Sequence, residues 1–519
     1  MNKFLKYILV TLLVLAVFFK LYSIKHTSLD SDEVMWSVMA DSVINENSHF
    51  WFFTDQNFRG SFETYFLLPF QYLFGVNEFT LRINSILFTF LTAYLIYQSI
   101  LNITRSKNLS LFGSLIFLFP LTSIYFIYNK AWGGYVAIQF LMLLIFHLFY
   151  FKVYKSGSNN FNIFLPVLGL ISGLSFWINE QSIYFIFILI FLTFFNDYRK
   201  FFEFNRLNKA LYILFFVIQS FVIYSIIRKQ MFLNLQTTFA NKLGINLDLL
   251  NFNIYLKDII YLSFGVLLLS FIFNKLIKKF DFLKSSFINY CSFTFIVLTI
   301  NIHFNSFSRL YSTEKKDFYQ SLKFLYEIIL QNIFGPFLII FLISCILLIF
   351  QRLRFILKNR RIEILYSDIF VLSFLLFPLM FLLSSVPGLT ETPRYLLLIW
   401  PISIVILLTS LHIFIQNTKF QGIILILFLF SWVFFSLNLK DVENNFILKN
   451  SQDISYTSLV KDIKNSNKDI CVGSYWNIGL VFFYSNMEIK CFTSREYGLH
   501  YKFLDKYKTN DVSKVYIVN

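Results

Sequence analysis

Long runs of apolar residues, separated by short polar stretches, make up most of this chain. A helix that crosses a bilayer needs roughly 20 mainly apolar residues, and about thirteen runs come close to that length. A membrane strand needs only about 10 residues, so the run lengths predict α-helices. The predicted spans cover residues 4–24, 82–101, 109–128, 132–151, 161–178, 181–196, 209–227, 258–274, 287–302, 333–350, 366–385, 395–415 and 421–437.

The composition points to the same class of protein. Of the 519 residues, 57% are hydrophobic, which is more than a soluble core of ordinary size can bury. We therefore predict an all-α polytopic membrane protein, with membrane lipids among its partners.

The formal net charge is +16, and the distribution of the basic residues along the chain agrees with the predicted topology. Basic residues gather in alternate loops, for example at Arg105 and Lys107, at Lys152 and Lys155, and at residues 352–361. Cytoplasmic loops of membrane proteins carry such an excess. We therefore expect a cytoplasmic N-terminus, a C-terminal tail on the outer side, and no nucleic acid among the partners.

The predicted spans divide the chain into two parts. Residues 1–439 form the predicted membrane domain, in which residues 25–81 are a first extracytoplasmic loop. The tail, residues 440–519, has the pattern of strand, helix, strand and strand that predicts a small extracytoplasmic α/β domain. Its predicted elements lie at Ile470 to Val472, Trp476 to Tyr484, Ile489 to Phe492 and Val515 to Val518.

Cys471 and Cys491 fall on two of these predicted strands. A disulfide between them would suit the oxidising side of a membrane. Two unpaired buried thiols are an equally open interpretation.

An acidic cluster with Asp30, Asp32 and Glu33 follows the first span. Apolar residues recur behind it at helical spacing, which predicts an amphipathic helix along the membrane surface, with the acids in its first turn. In one interpretation Asp30 or Ser31 caps the helix and the other acids complement its dipole. In the other, one carboxylate takes a proton from a hydroxyl that attacks a sugar.

Several motifs carry a resemblance to a known family. Leu29 to Val34 resembles the Asp-Glu motif of the GT-C membrane glycosyltransferases, and Arg59 to Tyr65 and Leu73 to Ile83 resemble the end of the first loop in bacterial relatives of protein O-mannosyltransferases and of the lipid A aminoarabinose transferase. Shorter similarities lie at Ala131 to Tyr135, Gly169 to Asn179, Pro393 to Leu396 and Tyr475-Trp476.

The resemblance implies transfer of a sugar, with inversion, from a polyprenyl-phosphate donor to a lipid, glycan or protein acceptor at the outer face of the bacterial cytoplasmic membrane. It implies that Asp32 is the general base, with Glu33 beside it in the motif. A phosphate leaving group needs no proton donor, in contrast to the two carboxylates of glycosidases. It needs positive charge, which Arg59 and Arg394 would supply, and Glu63 and Tyr395 would position the donor or the acceptor.

The basic residues also have structural interpretations. Arg59 precedes Glu63 by four residues, so an ion pair within a helix competes with a role of Glu63 in the site. Lys130 is expected to extend toward lipid headgroups, and Arg82 to anchor the second span.

The sequence departs from the family where many members carry a second acidic residue before the fourth span, because Tyr128 to Ala131 has none. We therefore expect no required cofactor or metal and leave a loosely bound divalent cation open.

Two rival functions remain. A transporter or a flippase of lipid-linked glycans would fit the span count, but ionisable residues are sparse within the spans, and Lys20 lies near the end of one. An O-antigen ligase or polymerase would place its charged residues in a large later loop. The charged segment from Arg309 to Lys323 is short for such a loop.

Overall fold

A computed structural model gives the architecture of the chain. The structure describes residues 3–50, 52–53, 56–120, 122–155, 164–189, 337–359, 364–383, 396–415, 439–493 and 514–518, together with residues 192, 323, 325–326, 423–425, 427–428, 431–432, 504, 507 and 509. Helices predominate among these residues, as the apolar runs predict.

The first part of the chain is helical except for one short hairpin. Its elements are α1 (Lys3–His26), α2 (Ser31–Glu46), β1 (Phe52–Phe53), β2 (Gln56–Gly60), α3 (Phe62–Phe74), α4 (Glu78–Thr104), α5 (Lys107–Leu118), α6 (Thr122–Ile127), α7 (Tyr135–Leu148) with a π-helical turn at Phe149–Tyr154, and α8 (Phe164–Ile178) with a 3-10 turn at Glu180–Ser182.

The later elements include the secondary structure of the tail. They are α9 (Leu338–Asn359), α10 (Tyr366–Leu383), α11 (Ile399–Phe414), α12 (Leu439–Asn465), β3 (Ile470–Gly473), α13 (Tyr475–Tyr484), β4 (Lys490–Thr493) and β5 (Val515–Val518). β1 and β2 pair antiparallel, whereas the tail has a parallel sheet in the order β4-β3-β5.

The chain divides into two compact units. One comprises Met1–Phe140, Tyr319–Arg361 and Thr390–Asn519, and the other comprises Leu141–Phe318 and Ile362–Leu389. In the first unit, α4 packs against α5 and α11, and α2 packs between α3 and α13. In the second unit, the ring of Tyr366 on α10 stacks on Tyr150. All the side chains of the site described below lie in the first unit.

Several described helices have the length and composition of membrane spans. Among the described residues these are Glu78–Thr104, Tyr135–Tyr154 and Leu338–Lys358. Helices α1 and α2 also have this length and composition when taken together, with a bend of 83° between them. The prediction of a mostly helical membrane protein is confirmed. The count of thirteen spans stays a prediction, because the spans at 209–227, 258–274 and 287–302 lie outside the described residues.

One predicted span is wrong in detail. The apolar run 109–128 is divided between α5, which ends at Leu118, and α6, which begins at Thr122. Pro120 lies in the gap. Proline has no amide hydrogen to donate and restricts the preceding residue, so it interrupts a helix even where the side chains are apolar.

Helix α2 forms where the sequence predicts it, but it is not amphipathic. Polar residues of this helix, including Ser37 and Ser42, are buried along with its apolar residues. Gln71 of α3 accepts from the Ser37 hydroxyl at 2.7 Å and donates to the Ser37 carbonyl at 3.1 Å. The helix is covered by protein, because α3 and α13 enclose it.

The tail shares its hydrophobic core with the first loop. Val34 and Met35 of α2 belong to one buried cluster with Ile478, Val481 and Phe482 of α13. The predicted strands and helix of the tail are present. The division into domains at residue 440 stays a prediction, although this cluster shows that the tail and the first loop pack as neighbours.

Cys471 and Cys491 face each other on β3 and β4 and form a disulfide with a Cα–Cα distance of 4.4 Å. We expect thiol labelling of the denatured chain to modify two of its four cysteines without reductant and all four after reduction. Intact mass spectrometry of the labelled protein measures the difference. Four labels before reduction would contradict the bond.

Candidate active site around the first loop

Asp30 begins α2. Its backbone is extended and its side chain accepts a hydrogen bond from the Glu33 amide at 3.0 Å, while the Glu33 carboxylate accepts from the Asp30 amide at 3.3 Å. This reciprocal pair is a capping box, which satisfies amide groups that the first turn leaves without helical partners. The capping interpretation of Asp30 is therefore confirmed.

Glu33 forms a buried ion pair with Arg82. The Arg82 Nε and Nη2 atoms donate to the two carboxylate oxygens at 2.9 and 2.5 Å, and neither side chain is exposed to solvent. The amide of Ala131 donates to the same carboxylate at 3.3 Å. Two-pronged contact of this kind is the strong form of the Arg–carboxylate interaction.

Arg82 also joins α4 to the end of α1. Its guanidinium donates to the carbonyls of Ile24, Thr27 and Ser28 at 2.5 to 3.0 Å. Helices end with carbonyls that lack partners within the helix, and a cation there suits the negative end of the helix dipole. The structural interpretation of Arg82 is confirmed: it anchors this region through buried contacts.

The loop from Asn129 to Gly134 holds Asp30 from the other side. Lys130 Nζ and Trp132 Nε1 donate to one Asp30 oxygen at 2.8 and 2.5 Å. The expectation that Lys130 extends toward lipid is wrong, because a partly buried carboxylate offers it a charged partner. Burial raises the pKa of Asp30, but the Lys130 charge and the donated hydrogen bonds lower the pKa further, to below its usual range.

The same loop engages Glu63. The Glu63 carboxylate, in the first turn of α3, accepts from the amides of Gly133 and Gly134 at 3.2 and 2.8 Å. Both glycines have positive φ, 63° and 75°, which turns the two amides toward the carboxylate at little steric cost. Of the two interpretations of Glu63, the ion pair within a helix is excluded, because Arg59 lies in strand β2 and Glu63 in α3.

Asp32 lies on the side of α2 that meets the tail. It is half-buried, and the hydroxyl of Tyr475 donates to its Oδ1 atom at 2.9 Å. The neighbouring Ser31 hydroxyl donates to the Trp476 carbonyl at 2.5 Å. Among its described contacts, Asp32 accepts from a phenol hydroxyl, whereas Glu33 and Asp30 accept from the cations Arg82 and Lys130.

The sequence also predicts Arg59, Arg394 and Tyr395 for the site. The backbone of Arg59 runs in β2, and Arg394 and Tyr395 lie outside the described residues. Sequence reasoning did not assign a role to Trp132, Gln452 or Tyr475. Trp132 and Tyr475 stood within short family similarities, whereas nothing in the sequence distinguishes Gln452.

A metal site is not apparent in the described part of the chain, where no three His, Cys, Asp or Glu side chains are grouped to hold an ion. The expectation about metals stays a prediction.

Comparison with solved structures identifies the fold. The chain is similar to ArnT from Cupriavidus metallidurans bound to undecaprenyl phosphate, with a TM-score of 0.51 and 10% identity over 98% of this chain and 89% of that one. The apo state of that protein matches with a TM-score of 0.50, at 9% identity over 98% and 88% of the two chains. The chain therefore shares the fold of this ArnT.

A weaker match is the archaeal oligosaccharyltransferase AglB from Archaeoglobus fulgidus in complex with an inhibitory peptide and a dolichol-phosphate. Its TM-score is 0.47, with 12% identity over 94% of this chain and 64% of that one. No protein-family model matches the sequence. No curated protein matches it significantly.

We expect Arg82→Met to destabilise the protein strongly, because the variant leaves the Glu33 carboxylate buried without its cation. Breaking such a pair costs about 3–5 kcal/mol. Thermal unfolding of the purified protein in detergent measures the loss.

Lys464→Met is the matched control. Lys464 pairs with Glu488 at 2.6 Å, but the two side chains are 50% and 63% exposed. An exposed pair contributes about 0–1 kcal/mol. Equal unfolding temperatures for the two variants would refute a stabilising role for the buried pair.

The lowered pKa of Asp30 gives a pH dependence of definite sign. Its ion pair contributes stability above the unfolded-state pKa of about 3.9 and loses that contribution as pH falls through the lower folded-state pKa. Asp30→Asn removes the charge but keeps a good helix cap. We expect wild type to unfold at higher temperature than Asp30→Asn by a constant margin from pH 7 to about pH 5, and the margin to shrink below about pH 4. A margin that grows toward acid would contradict this assignment.

Proposed function

We propose that this protein is a glycosyltransferase that moves a sugar from a polyprenyl-phosphate donor to a lipid, glycan or protein acceptor at the outer face of the bacterial cytoplasmic membrane. The observation that carries the proposal is the half-buried Asp32, held by Tyr475 at the junction of α2 and the tail, within a fold like that of ArnT. ArnT was solved with undecaprenyl phosphate, which supports a polyprenyl-phosphate carrier for this chain as well.

Asp32 is the proposed general base. A base must be reachable by the hydroxyl that it deprotonates, and Asp32 keeps part of its surface exposed, whereas Glu33 has none. Its described hydrogen-bond donor is the hydroxyl of Tyr475.

Glu33 and Asp30 have a different proposed role. Each is tied to a cation, Glu33 to Arg82 and Asp30 to Lys130, and each takes part in the capping box that fixes the first turn of α2. We therefore revise the catalytic role predicted for Glu33 and propose that it positions Asp32.

The proposed step balances without an additional acid. Asp32 accepts the proton of the acceptor hydroxyl while that oxygen forms a bond to the anomeric carbon. The bond between the anomeric carbon and the phosphate oxygen breaks, and the polyprenyl phosphate leaves with the electron pair. Attack opposite the leaving group inverts the anomeric carbon.

The departing phosphate needs cations that are not already engaged. Arg82 and Lys130 are held by Glu33 and Asp30, so they are unsuited to this task. Arg59 and Arg394 remain the proposed phosphate ligands.

Two further residues remain in the proposed site. Because the Glu63 carboxylate is occupied by the Gly133 and Gly134 amides, we propose that it shapes the loop beside the site. Tyr395 stays a proposed contact for the donor or the acceptor.

Replacing Asp32 by Asn is the decisive test. Loss of a general base typically lowers the rate about 10²- to 10⁴-fold, so we expect one surface sugar to disappear from a deletion strain that carries Asp32→Asn at normal abundance. Mass spectrometry of glycans and glycolipids measures the change and identifies the sugar.

Asp41→Asn is the matched control, since Asp41 lies on the same helix and contacts Asn45 and Lys490. It should restore the wild-type profile. A wild-type profile from Asp32→Asn would remove Asp32 from the chemistry and favour a transporter, flippase or ligase that works through other residues.

A further inference from the structure

The tail contacts residues 29–33, the acidic segment, at three positions. The side-chain amide of Gln452 on α12 accepts from the Leu29 amide and donates to the Leu29 carbonyl, each at 2.9 Å. The Trp476 carbonyl accepts from Ser31, and the Tyr475 hydroxyl donates to Asp32. The tail therefore binds the segment that carries the proposed base.

Tyr475 is held firmly at this contact. Its side chain is 2% exposed, and its ring meets that of Trp476 edge-on with centroids 5.1 Å apart. It is the first residue of α13 and follows β3 after a single residue. The Cys471–Cys491 disulfide and the parallel pairing join β3 to β4, so the start of α13 is fixed by the sheet.

The approach of α13 to α2 is close because of Gly479. A Cβ atom at that position would lie 2.9 Å from the Cβ of Ser31 and 2.7 Å from its hydroxyl oxygen. Real Cβ atoms essentially never come so close to carbon. A glycine therefore allows α13 to lie against α2 at the distance that the hydrogen bond between Tyr475 and Asp32 requires.

We propose that Tyr475 is a positioning residue for the base Asp32, so that the tail completes the catalytic site instead of only covering it. This inference rests on the proposed function. A phenol that donates to one carboxylate oxygen restricts rotation of the carboxylate and directs it toward one acceptor position. Misplacement of a reacting group by about 1 Å is enough to slow a reaction about 10²-fold.

The ionisable groups on the elements that pack against α2 include Glu63 and Tyr65 from α3, Glu78 and Arg82 from α4, and Tyr484 with Tyr475 from α13. Glu63 accepts from the Gly133 amide. Arg82 pairs with Glu33, and the Tyr484 hydroxyl contacts Asp453. Tyr65 donates to no carboxylate among its described contacts, where its hydroxyl accepts from the Phe50 amide. Tyr475 is the described member of this group that contacts Asp32.

The test compares Tyr475→Phe with Tyr456→Phe in the purified full-length protein. Tyr456 is the matched control, because its hydroxyl also lies within the tail but donates to Asn477 at 3.0 Å. The substrate is undecaprenyl phosphate bearing the sugar that the Asp32→Asn profile identifies, and undecaprenyl phosphate alone is the probe for binding by thermal shift.

We expect Tyr475→Phe to lower kcat about 10- to 100-fold, as the loss of a hydrogen bond to a charged group would. KM for the donor, the thermal shift by undecaprenyl phosphate and the unfolding temperature should stay within about 2-fold or about 2 °C of wild type, since the ring is kept. Tyr456→Phe should leave kcat unchanged.

The outcomes separate the two proposals. Full kcat in Tyr475→Phe, or a loss accompanied by a raised KM and a lowered unfolding temperature, overturns the positioning role while an inactive Asp32→Asn still supports the proposed function. Full activity of Asp32→Asn overturns the proposed base, and the role of Tyr475 falls with it.

Discussion

The fully buried guanidinium of Arg82 makes five hydrogen bonds, two to Glu33 and three to carbonyls at the end of α1. A buried charge is costly unless its partner and its remaining donors are satisfied, so these contacts form together or not at all. They fix the end of α1, the start of α2 and the second turn of α4 relative to one another. The position of every other side chain in the acidic segment depends on this arrangement.

Helical geometry then divides the acidic segment between two neighbours. Successive residues of a helix point about 100° apart, so Glu33 faces the loop from Asn129 to Gly134 while Asp32 faces the tail. Asp30 precedes the helix with an extended backbone and contacts the same loop as Glu33. The ion pairs on one side hold the first turn rigid. The other side presents a carboxylate to a neutral phenol at a partly exposed boundary. Three acids within four residues can therefore have two roles, because their side chains reach different neighbours.

The sequence predicts the features that depend on local pattern. Apolar run length indicates the membrane helices, and the spacing of Asp30 and Glu33 is typical of a capping box. The partners of the acids are distant in sequence, since Arg82 follows Glu33 by 49 residues and Lys130 follows Asp30 by 100. The interpretation of α2 as a surface helix failed for the same reason, because α13 covers it from the far end of the chain. The four-residue spacing of Arg59 and Glu63 suggests one helix turn, but strand β2 ends and helix α3 begins between these two residues.

The distinction between chemistry and position governs how substitutions in this site must be interpreted. A Glu33 variant loses a buried ion pair, a cap and a contact to Ala131 at once, so its loss of activity would accompany a loss of folded protein. An Asp32 variant loses a contact at a half-buried edge, so the fold should persist without the reaction. The same contrast applies to the tail, where Tyr475 belongs to the buried cluster shared with α2 and its hydroxyl donates to the proposed base. Removing one oxygen atom therefore separates the two roles that this residue combines.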